Sequence, residues 1–99
     1  LPKLKAQVIV TLPDILEFND KLNESINFSK DEIECFIITS SSQNEIETLI
    51  KQFELNESII SNDFKSFAKI FNLKDEQNNL IKSLIMINKD CQIIHKEIL

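Results

Sequence analysis

The stretch VIVTLPDILEFNDKL, Val8 to Leu22, decides how this chain folds. Its first half, with Gln7, is apolar and β-branched, which predicts a buried strand over Gln7–Leu12. Pro13 ends the pairing because proline has no N–H to donate. Ile15, Phe18, Leu22 and Ile26 then recur at spacings of three and four, the period of one helical stripe, and Asp14 stands where a cap would. A strand thus runs straight into a helix. Many redox enzymes place a cysteine at such a junction, because the free N–H groups and dipole of the first turn stabilise a thiolate. This junction has Pro13, Asp14 and Ile15 instead.

Working outward, Glu34–Thr39 (ECFIIT) is a second apolar run without period-2 alternation, as expected of a strand covered on both faces. Ser40–Ser42 opens a helix whose stripe is Ile46, Leu49, Ile50 and Phe53. Two such units in succession call for a right-handed crossover and a parallel strand pair. Ser58–Ile60 is a short strand candidate. Asn62 or Asp63 is placed to cap a third helix, in which Phe64, Phe67, Ala68 and Phe71 share a face. Ser83–Ile87 (SLIMI) is a third strong strand. The five residues NKDCQ then turn it into Ile93–Ile98 as a hairpin. The order predicts an α/β, thioredoxin-like fold: a central mixed sheet with flanking helices and a C-terminal β-hairpin. The strands at Val8, Phe36 and Leu84 are expected to be the inner ones.

At 99 residues the chain is read as one domain, 1–99. A net charge of −5 argues against nucleic-acid binding, which needs clustered Lys and Arg. No apolar run is long enough to cross a bilayer, and LPKLKAQ lacks a signal-peptide pattern, so a cytoplasmic protein without membrane contact is expected. Glycine is absent altogether. That excludes the dinucleotide fingerprint and the P-loop, whose backbones approach phosphate without a Cβ. Positions needing φ > 0 are expected to fall to Asn or Asp.

The runs IISNDFKSFAKIFNL and LIKSLIMINKDCQIIHKEIL, with ECFIITSSS before them, resemble the bacterial thiol peroxidase branch of the peroxiredoxins. The likeness runs back to the first strand and so covers nearly the whole chain. It implies a thioredoxin fold and peroxide chemistry at a cysteine following the first strand. There the chain departs from the family, because the peroxidatic cysteine motif after the proline is missing. Pro13 matches the family's proline, and in one register Ile15 takes the cysteine position. Phe53 matches the aromatic before the family's resolving cysteine, which leaves Glu54 in that cysteine's place. Lys82 falls on an arginine that in the family holds peroxide, and lysine keeps the charge without the planar fork of donors. Relatives carry a further N-terminal hairpin and C-terminal helix, so the resemblance implies a domain shortened at both ends.

Two thiols remain as weak catalytic candidates. Cys35 lies within a strand expected to be covered on both faces, where a free cysteine is usually a small buried hydrophobe. Cys91 sits at the tip of the final hairpin, where relatives usually have glycine. It reads as an exposed turn residue without a resolving partner. The two cysteines form no CxxC pair, and a structural disulfide is not expected. His95 is the only histidine and has no ligand-spaced companions, so neither a metal nor a cofactor is expected. Asp31, Glu32 and Glu34 read as a solvated loop. The serine run lacks the glycine-flanked elbow of a nucleophile.

These readings predict a degenerate thiol-peroxidase-like protein whose role is a non-catalytic interaction or structural one, Pro13, Ile15 and Lys82 being vestiges of an active site. A homodimer or another protein partner is expected. The alternative is a thiol-dependent peroxidase using Cys91 or Cys35.

Overall fold

The computed structural model describes residues 5–29 and 31–99. Strand β1 (Ala6–Leu12) is followed by a short 3₁₀ turn at Ile15–Glu17 and helix α1 (Asp20–Ser29). Next come β2 (Ile33–Thr39) and α2 (Gln43–Phe53), then a second 3₁₀ turn at Glu57–Ile59 and the two-residue strand β3 (Ile60–Ser61). Helix α3 (Phe64–Phe71), β4 (Ser83–Ile87) and β5 (Ile93–Ile98) complete the order.

One mixed sheet in the order β3-β2-β1-β4-β5 carries these elements. β1 pairs parallel with β2, Val8 facing Cys35, and antiparallel with β4, Val10 facing Leu84. β2, β1 and β4 are therefore the inner strands, and β5 closes one side as the antiparallel arm of a hairpin. The architecture is the expected α/β, thioredoxin-like one.

Alternation along each strand sends side chains to two faces, and each face has its own core. On one, Val10, Leu12 and Ile37 pack with Ile15, Phe18, Ile46 and Leu49 beneath α1 and α2. On the other, Ile9 and Ile85 pack with Ala68, Leu73 and Leu80 at α3 and the segment after it. The phenylalanines of α3 border this second core, with Phe67 and Phe71 ring centroids 4.5 Å apart.

Several local expectations are corrected. The stripe beginning at Ile15 does not form one continuous helix. Phe18 is extended with ψ 130°, its buried ring meets Phe53 edge-on at 4.9 Å, and the Asn19 side chain accepts the Leu22 amide to restart the helix at Asp20. Burying Phe18 against α2 thus overrides the helical periodicity. The short strand expected at Ser58–Ile60 lies at Ile60–Ser61, because the Asn56 side chain accepts the Ser58 amide and draws residues 57–59 into a turn. Asp63 occupies the cap position of α3 without a side-chain capping bond. Ser42 and Glu45, by contrast, form a reciprocal capping box on α2. Glu34 is an exposed residue of β2, not part of the loop before it.

Asn72 and Asn78 take positive φ as expected in a chain without glycine, but so do Glu54 and Cys91. Glu54 ends α2 in the left-handed region at φ 54°. Cys91 sits at φ 63° in the β4–β5 turn, where Asn88 holds the loop through hydrogen bonds from the Asp90 and Gln92 amides to its side chain.

Candidate functional site

The junction after β1 is closed by hydrogen bonds. Pro13 O accepts from Ser40 Oγ at 2.7 Å, and Ile15 N–H donates to Ser41 Oγ at 2.9 Å. Leu16 N–H donates to Asp14 Oδ1 at 3.0 Å, while the Glu17 and Phe18 amides donate to the carbonyls of Asp14 and Ile15. The amides of Ile15 to Phe18 therefore all have acceptors within the chain. A helix start attracts anions through N–H groups that lack partners, and this turn leaves none of those four unpaired. Asp14 adds a carboxylate at the same point. The Ile15 side chain is fully buried and belongs to the core under α2. What occupies the junction is hydrocarbon and capped backbone.

β4 meets the same end of β1. Thr11 Oγ1 donates to Ile81 O at 2.7 Å and lies 2.6 Å from Ser83 Oγ, with both residues fully buried. This pairing satisfies two hydroxyls that would be costly to bury alone. It also fixes the approach of Lys82, whose Nζ lies 3.4 Å from Glu17 Oε1 in a half-exposed ion pair. Lys82 and the turn that follows Pro13 and Ile15 are thereby brought together, the ammonium facing a carboxylate.

The two thiols lie far apart in the topology. Cys35 is on β2, while Cys91 is in the turn beyond β4, with β1 between these strands. Cys35 is half-buried, not covered on both faces as the sequence suggested, because α1 and the 57–59 turn leave spaces beside it. One cavity of about 270 Å³ reaches from Cys35 to Ser58 and Ile59. Another of about 250 Å³ runs under α1 to Leu84. The second is walled mainly by aliphatic side chains, the first by Ile26, Ile33, Phe36 and Ile59 with Glu34 and Ser58, and burial pushes the Cys35 thiol up to about 11, which keeps it protonated at neutral pH. Cys91 is exposed.

His95 is exposed on β5 with Nε2 3.4 Å from Glu97 Oε1. Among the described residues no group of three His, Cys, Asp or Glu side chains could hold a metal ion, and no helix is long and apolar enough to cross a membrane. Phe53 packs on Phe18, and Glu54 points into solvent as the end of α2.

Sequence reasoning missed Ser41 and the Thr11–Ser83 pair. The serine run reads naturally as loop and cap, and only the parallel pairing of β1 with β2 lays Ser41 against Ile15. Two hydroxyls in otherwise apolar strands, Thr11 and Ser83, are the signal that could have suggested a buried pair.

The sequence matches no protein-family model and no curated protein. Its fold does have close counterparts. A peroxiredoxin-like protein from Aquifex aeolicus superposes with a TM-score of 0.79 at 14% identity, over 99% of this chain and 63% of that one. The mitochondrial 2-Cys peroxiredoxin from Plasmodium falciparum gives 0.69 at 15% identity, over 97% of this chain and 65% of that one. The exposed lipoprotein thioredoxin of Streptococcus pneumoniae gives 0.65 at 10% identity, covering 98% and 76%. The chain thus spans under two thirds of the length of the two peroxiredoxin structures. At these identities the likeness is one of fold: the chain has a thioredoxin fold arranged as in peroxiredoxins.

Proposed function

We propose that this chain is a degenerate thiol-peroxidase-like domain, of the bacterial branch that its sequence resembles, acting without catalysis as a cytoplasmic protein-interaction or structural module. The observation that carries the reading is the junction after β1. A peroxide-reducing thiol needs a stabilised thiolate, and here the Ile15–Phe18 amides are all engaged, with Ile15 itself in the core. Pro13, Ile15 and Lys82 are on this reading remnants of a site turned over to packing. The partner class is protein, a second copy of the chain included. Support for this comes from Ile93, Ile94 and Ile98, all exposed on β5.

The competing reading is a peroxidase working through Cys91 or Cys35. Cys91 favours it by its exposure, while the raised pKa of Cys35 argues against that residue. A coupled assay separates the two readings. With thioredoxin, its reductase and NADPH supplied, hydrogen peroxide should be consumed no faster than without the protein. NADPH oxidation that saturates with peroxide and disappears in Cys91→Ser would establish the enzyme.

A further inference from the structure

We draw no further inference here: the strongest candidate, the outer strand β5 with its exposed Ile93, Ile94 and Ile98, is an unpartnered apolar surface, and nothing in the structure shows what covers it.

Discussion

The Ile15 amide donates to Ser41 Oγ at 2.9 Å, which joins the turn after β1 to the loop that starts α2. Through this bond the Ile15 side chain is held in the core shared by Leu12, Ile46 and Leu49. Replacing Ile15 by Ala should therefore cost about 2 to 5 kcal/mol, the range for a buried aliphatic side chain that leaves a cavity. Asp14→Ala removes only the side-chain cap on Leu16 and should cost about 1 kcal/mol. Urea unfolding of both variants checks the ordering. A nearly neutral Ile15→Ala would mean that the junction is not packed as described.

The Thr11–Ser83 hydroxyl pair should behave as a unit. Thr11→Val deletes the donor to Ile81 O and strands the Ser83 hydroxyl in the core, at a cost of about 1 to 3 kcal/mol. Adding Ser83→Ala to that variant removes the stranded group. The double variant should then lie closer to the wild type than the sum of the two single losses. Strict additivity would show that the two hydroxyls are not coupled.

Cys35 gives the protein a pH signature. Burial raises its pKa from 9.0 to about 11, so the folded chain keeps a proton that the unfolded chain releases. The contribution to stability is complete below pH 9 and is lost as the pH rises to about 11. The whole loss should be on the order of 2 kcal/mol. Cys35→Ala should flatten this part of the stability profile. The same protonation should keep alkylation of Cys35 by iodoacetamide slow at pH 7.5, while exposed Cys91 is labelled first. Peptide mass spectrometry after timed quenching resolves the two.

Glu54 and Cys91 hold left-handed backbone conformations that disfavour a residue with a Cβ. Glycine at either position should stabilise the fold by about 0.5 to 1 kcal/mol, the relief of strain exceeding the added entropy of the unfolded chain. Thermal unfolding of Glu54→Gly and Cys91→Gly measures this. A fall in melting temperature for both would mean that the side chains make contacts outweighing the backbone cost.

The strands were legible in the sequence because each is a short apolar run ended by a local signal. Pro13 stops β1, the serines stop β2, and the polar NKDCQ loop separates β4 from β5. Order and spacing then left few ways to build a sheet. The break at Phe18–Asn19 was not legible, since Ile15, Phe18, Leu22 and Ile26 keep helical spacing across it. The tertiary contact with Phe53, together with the Asn19 cap that restarts the helix, selects the extended conformation at Phe18. For the same reason Pro13, Ile15 and Lys82 could be named in advance, but not the bonds joining them to Ser40, Ser41 and Glu17. Those bonds depend on which strand ends the topology lays side by side.

The most direct measurement of the central claim is oxidation of the reduced protein by a small excess of hydrogen peroxide at pH 7, with the state of each cysteine read by trapping and mass spectrometry. If the junction after β1 has been given over to packing, Cys35 and Cys91 should both react no faster than cysteine in a denatured sample of the same chain. Selective conversion of one of them to sulfenic acid, orders of magnitude faster than in that sample and abolished by unfolding, would contradict the account.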